Sequence, residues 1–134
     1  MTRVTHGVRH ITMSIERSPE DVYAFASKPA NLPRWAAGLS ASINLIDGQW
    51  VAESDMGRVT VLFAPTNQFG VLDHAVSLPD DGSVLNPLRV LPNGDGSEVV
   101  FTLFHREGVS VEDFEADAAA VEKDLATLKE LLER

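Results

Sequence analysis

Seven apolar residues recur at intervals of three and four near the end of this 134-residue chain. Val111, Phe114, Ala118, Val121, Leu125, Leu128 and Leu132 fall on one stripe of an α-helix that runs to about Glu133. Ser110 can cap the free amides at its start, and Glu112 and Asp113 meet the positive end of its dipole. At ~1.5 Å per residue the helix is a rod of roughly 35 Å. Three heptads is the lower limit for a coiled coil, so the stripe seeks its partner within the chain. The rod must lie across a whole β-sheet, and the sheet must curl around it to cover the stripe.

The rest of the chain supplies that sheet. From Val8 to Glu16, Ile11, Met13 and Ile15 alternate with His10, Thr12 and Ser14, the period of a half-buried strand. Ser18-Pro19-Glu20-Asp21 then opens a helix packed through Val22, Tyr23, Phe25 and Ala26 and stopped by Lys28-Pro29. A second short helix follows Asn31, carries Trp35 and ends at Gly38. Beyond it, turn residues divide short strands: Ala41–Ile46, Trp50–Ser54, Arg58–Ala64, Phe69–Leu78, Val84–Leu91 and Glu98–Arg106. Asp47-Gly48 is the clearest hairpin signal, with Met56-Gly57, Asp80-Asp81-Gly82 and Asn93-Gly94-Asp95-Gly96 behind it. Strands joined this closely predict an antiparallel meander. The predicted class is α+β: about seven antiparallel strands curved around a long C-terminal helix, with two short helices after the first strand.

Length suits one domain, so residues 1–134 read as a single unit. Eleven basic against twenty acidic side chains give a net charge of −9, with pI near 4.7, which argues against a phosphate-backbone binder. Residues 1–67 are balanced, six against six, and residues 68–134 carry five basic and fourteen acidic groups. That acidic half reads as a solvated face, or as a docking surface for a basic partner. The absence of cysteine excludes disulfides, thiolate catalysis and Cys-ligated metal. The N-terminal residues hold no apolar core of signal-peptide length, and no run approaches a membrane span, so a cytoplasmic location without stable membrane insertion is expected.

The order of elements, with Ile15-Glu16-Arg17-Ser18-Pro19-Glu20-Asp21-Val22-Tyr23 and Asn31-Leu32-Pro33-Arg34-Trp35, resembles the START/SRPBCC superfamily. Gly70-Val71-Leu72-Asp73-His74 and Asn86-Pro87-Leu88-Arg89-Val90 are similar to a small bacterial branch described as polyketide cyclase/dehydrase-like. The resemblance covers nearly the whole chain. It implies the helix-grip fold of the birch-pollen allergen, in which sheet and helix enclose an apolar cavity. Ala116-Asp117-Ala118-Ala119-Ala120 independently suggests such a space, because small side chains occupy the middle of the last helix.

Of four histidines, His105 continues the inward series Val99, Phe101, Leu103, and His74 shares a face with Leu72, Val76 and Leu78. Both are candidate acid–base groups, though a core histidine bonded to backbone or water is the favoured reading, and His105, near a strand end, is also a candidate for simple solvent exposure. His74 and Asp73 diverge by alternation and form no dyad; Arg89 is expected to pair with Asp73 or Glu98 across the sheet. Glu53 is placed at the surface. The candidate ligand-binding set is Trp35, Trp50, Phe63, Leu72, His74, Phe101, Leu103, His105, Phe114 and Ala118, with Trp35 at the cavity mouth. No metal-ligand spacing, P-loop, dinucleotide fingerprint or nucleophile elbow occurs, so neither metal nor cofactor is expected. The leading expectation is a binding module for a small hydrophobic or amphipathic molecule, lipid or polyketide-like. A cyclase/dehydrase-type enzyme and a protein-interaction or stress-related regulator are the alternatives. Either a monomer or a homodimer is compatible with the sequence.

Overall fold

A computed structural model of the protein describes residues 4–36, 42–54, 57–80 and 82–134. The alternation at the start of the chain becomes β1 (Gly7–Ile15), which buries Ile11 and Ile15 and exposes Thr12 and Ser14. Ser18 caps α1 (Pro19–Ala26), its hydroxyl accepting the Asp21 N–H at 3.2 Å. A 3₁₀ turn (Pro29–Asn31) leads into α2 (Leu32–Trp35), which buries Leu32 and Trp35. Gly38 and Ala41, read above as a terminator and a strand start, lie outside the described residues, as do Met56 and Asp81.

Eight strands follow the alternating patterns among the described residues: β1, β2 (Ile43–Ile46), β3 (Gln49–Ser54), β4 (Gly57–Phe63), β5 (His74–Ser77), β6 (Ser83–Asn86), β7 (Leu88–Asn93) and β8 (Gly96–His105). All pair antiparallel, in the orders β1-β8-β7 and β2-β3-β4-β5-β6. The Asp47-Gly48 hairpin forms as predicted, with φ of 51° and 80° at its two residues.

Two of the seven predicted strands differ from expectation: one is shortened and one is divided in two, and the division is why eight are found. The stretch Phe69–Leu78 is regular only in β5; Val71 makes an isolated bridge with Arg89, and Phe69 stands exposed. The stretch Val84–Leu91 divides at Pro87 into β6 and β7. Pro87 has no N–H with which to continue a ladder. Across from it, the Asp73 carboxylate accepts the Leu88 N–H at 2.9 Å and grips Arg89 through Nε at 2.8 Å and Nη2 at 2.7 Å. Pairing resumes beyond the break, with Leu72 N–H donating to the Leu88 carbonyl and Val90 N–H to that of Gly70. The hairpin therefore passes from one sheet into the other, and the break supplies the curvature.

The predicted terminal helix is α3 (Val111–Leu132), capped by the Ser110 hydroxyl on the Asp113 N–H at 3.0 Å. Phe114, Ala118, Leu125, Leu128 and Leu132 are buried and Val121 partly so. Val111 departs from the predicted stripe: at the first helical position, a turn before Phe114 meets the core, it is 67% exposed. Four ties hold α3 and its end to the first strand region. Arg9 pairs with Glu115 at 2.6 Å near one end, and at the other Arg17 Nη1 donates to the Leu132 carbonyl at 2.6 Å. Lys129 Nζ bridges the Ser14 carbonyl and Glu133, whose carboxylate also accepts the Glu16 N–H. Arg17 thus satisfies a helix-end carbonyl that has no intrahelical donor.

Candidate functional site

A cavity of about 500 Å³ lies between the sheet and the N-terminal two-thirds of α3. The sheet contributes His74, Val76, Leu78, the four residues of β6, Phe101, Leu103 and Phe104; α2 contributes Leu32, Trp35 and Ala36; α3 contributes Phe114, Asp117, Ala120, Val121, Asp124 and Leu125. Arg106 and Val109, beyond β8, complete the rim. A second depression of about 410 Å³, bordered by Ile46, Val51, Thr60 and Ser77, is a more open surface groove on the five-stranded sheet.

His74 is a buried polar residue in the cavity wall. Its ring sits 5.0 Å from that of Phe63 and 6.3 Å, edge-on, from that of Phe101. Burial pushes its pKa below the usual histidine value, against the smaller opposing effects of the Leu72 carbonyl and the Asp73 charge. The imidazole is therefore neutral at pH 7. With Nδ1–H donating to the Leu72 carbonyl at 3.1 Å, Nε2 keeps its lone pair and has no protein partner among the described residues. Asp73, on the opposite face, has its carboxyl held below the usual range, foremost by the Arg89 guanidinium.

Trp35 is 5% exposed, and its indole N–H has no hydrogen-bond partner among the described residues. A buried donor left unpaired costs about 1–3 kcal/mol.

His105 occupies the inner face but does not line the cavity. The turn after β8 brings the Val109 carbonyl 2.6 Å from its Nε2, and its ring stacks on Phe114 at 4.5 Å and 6°. It supports a lining residue. Of the other sequence-derived candidates, Trp35, His74, Phe101, Leu103 and Phe114 line the cavity. Phe63 stands behind His74, and Leu72 and Ala118 sit in the close-packed core. Trp50, paired with Val61 on β3, lies away from the cavity. Of the alanine patch, only Ala120 reaches the wall.

Asp117, Asp124, Asn86 and Arg106 escaped the sequence reading. The two aspartates lie beside the apolar stripe, at helical spacing from Ala120 and Val121, a signal available in the sequence. Arg106 follows the last strand in a turn, and no periodicity marks it. Among the described residues no group of three or more His, Asp or Glu is gathered to hold a metal ion, and no helix is long and apolar enough to cross a membrane.

No protein-family model and no curated protein matches the chain. Solved structures do. XoxI from Bacillus cereus superposes with a TM-score of 0.72 at 18% identity, over 94% of this chain and 95% of that one. Ara h 8.0201 gives 0.68 at 12% identity, over 94% and 97%. DynU16, a protein of the dynemicin biosynthetic locus, gives 0.70 at 12% identity, over 94% of this chain and 47% of its own length. These likenesses show the fold: an α+β helix-grip fold shared with Ara h 8.0201, as the order of the elements led us to expect.

Proposed function

We propose that the protein binds one small hydrophobic or amphipathic molecule, lipid or polyketide-like, between its sheet and α3. The observation that carries this reading is the unfilled volume of about 500 Å³ behind a wall of Trp35, Val76, Phe101, Leu103, Phe114 and Val121. Apolar walls with few polar groups, in a space of several hundred cubic ångströms, suit a guest of that kind. His74 adds an acceptor, its Nε2 lone pair, that has no partner among the described residues. The occurrence of a fold relative in a biosynthetic locus is compatible with a polyketide-like guest.

The test uses decan-1-ol and intrinsic fluorescence. Trp35 is in the wall and Trp50 is not, so a W50F variant reports the cavity alone. Saturable 1:1 quenching or enhancement is expected, with a rise in Tm that follows ligand concentration by mass action. Absence of both a saturable signal and a Tm rise overturns the reading.

A cyclase- or dehydrase-type reaction in the same space is the second reading, and the lone pair on His74 Nε2 is what favours it. His74→Gln would then abolish turnover of a cyclisable polyketide while leaving its binding nearly unchanged. Equal turnover by the variant would remove this reading.

A further inference from the structure

The two sheets part beside the cavity. Thr102 N–H donates to the Pro87 carbonyl at 3.0 Å, the last backbone bond between β8 and the chain of β6 and β7. Continuing the β7–β8 register past Pro87 would set Leu85 opposite Phe104. Instead β6 bonds only β5, and β8 bonds only β1 and β7. The alternation fixed by Leu78–Gly82 and Leu72–Leu88 directs the N–H and C=O of Leu85 away from β5, into the split. The same alternation, counted from Thr102, directs those of Phe104 into it from the other side. Both residues line the cavity, so two strand edges that have no ladder partner there among the described residues open onto it.

Arg106 lies at the end of this split. Arg9, Arg17, Arg58, Arg89 and Arg134 each have a carboxylate partner, and Arg34 lies over the Phe25 ring. Among the described residues Arg106 is the one arginine with neither, and it is the one that lines the cavity. A guanidinium is a planar fork of donors that matches a carboxylate.

We infer that the guest carries a carboxylate, seated in the split on Arg106 and on the backbone N–H groups of Leu85 and Phe104, with its apolar body inside the cavity. The inference rests on the cavity-binding reading above. Asp117 and Asp124 line the helical wall and repel an anion from that side, which directs the head group to the sheet. Removing Arg106 takes away the only positive charge among the described lining residues.

The experiment titrates the protein and its R106Q variant with decanoate, decan-1-ol and decylamine by calorimetry, each below its micellar concentration. Arg106 is exposed, so the variant should fold, and far-UV circular dichroism checks that it does. Decanoate is expected to bind at least tenfold tighter than decan-1-ol, and R106Q to reduce that ratio to within about twofold while leaving decan-1-ol unchanged. A decanoate affinity no better than that of decan-1-ol overturns the carboxylate site and leaves the cavity reading standing. So does a ratio retained in R106Q, or tightest binding by decylamine, which would place Asp117 and Asp124 in control. Failure of all three probes to bind overturns both readings.

Discussion

Gly70 is where one methyl group meets the hardest obstacle in the sheet. Its φ is +71°, and an added Cβ would collide with the Val90 carbonyl oxygen, a backbone atom that cannot move aside cheaply. Gly94, with φ of +59°, has open space around it. Gly94→Ala should therefore cost only the left-handed penalty of about 1 kcal/mol, and Gly70→Ala at least twice as much. Urea unfolding of the two variants measures the difference, and equal costs would contradict the close approach. His74 makes a prediction in pH. Its folded pKa is depressed, so above about 6.5 both folded and unfolded states are neutral and it contributes no slope. As pH falls below 6.5 the unfolded chain takes up a proton that the folded protein refuses, and stability declines by at most about 1.4 kcal/mol per pH unit. His74→Phe should flatten the stability profile between pH 6.5 and 5. Asp73, also depressed, acts in the same sense at lower pH: its contribution is present above 3.8 and lost as pH falls through its folded value. At this scale the sequence was legible where alternation operates, since strand period alone set His74 inward and Asp73 outward. It was not legible for Arg106, whose importance comes from the lack of a partner in three dimensions.

The element that departs most from expectation is the hairpin broken at Asp73 and Pro87. Pro87 was visible in the sequence, but strand period continues through it: Val84 and Asn86 before it are partly buried, and Leu88 and Val90 after it are buried. Periodicity records which face a residue takes and is silent about which neighbour strand it bonds. The clasp is what closes the gap in the ladder, and its two partners are unequal. Asp73 serves both the Leu88 N–H and the Arg89 guanidinium, whereas Arg89 is half exposed and serves Asp73 alone. Asp73→Ala should cost about 2 kcal/mol, because it orphans a partly buried backbone donor as well as a cation. Arg89→Ala should cost under about 1 kcal/mol, as exposed ion pairs do. Chemical denaturation of both variants checks the order, and a larger loss from Arg89→Ala would contradict it. The long helix, in contrast, was readable almost residue by residue, because a three-and-four spacing sustained over 22 residues survives the failure of one position, Val111.

At the scale of the molecule, the stripe on α3 demanded a curved sheet, and the break at Pro87 provides one. Curvature has a second effect: where β6 and β8 separate, the sheet opens beside the volume it encloses. The small residues in the middle of α3 signalled that volume, though by another route than expected, since Ala118 packs into the core and only Ala120 reaches the wall. The enclosed space makes a direct demand on the protein. A bulky side chain placed there should displace the guest without dismantling the fold, because it enters emptiness where other core sites would be overpacked. Val121 sits on α3 at the boundary of core and cavity. Calorimetric titration of decan-1-ol into the wild type and Val121→Trp, with the Tm of each recorded, is the most direct measurement. The account predicts saturable 1:1 binding by the wild type, a loss of at least tenfold in the variant, and Tm values within a few degrees of each other. A wild type that does not bind, or a variant that binds equally well, would show that the interior between sheet and helix is not the guest's place.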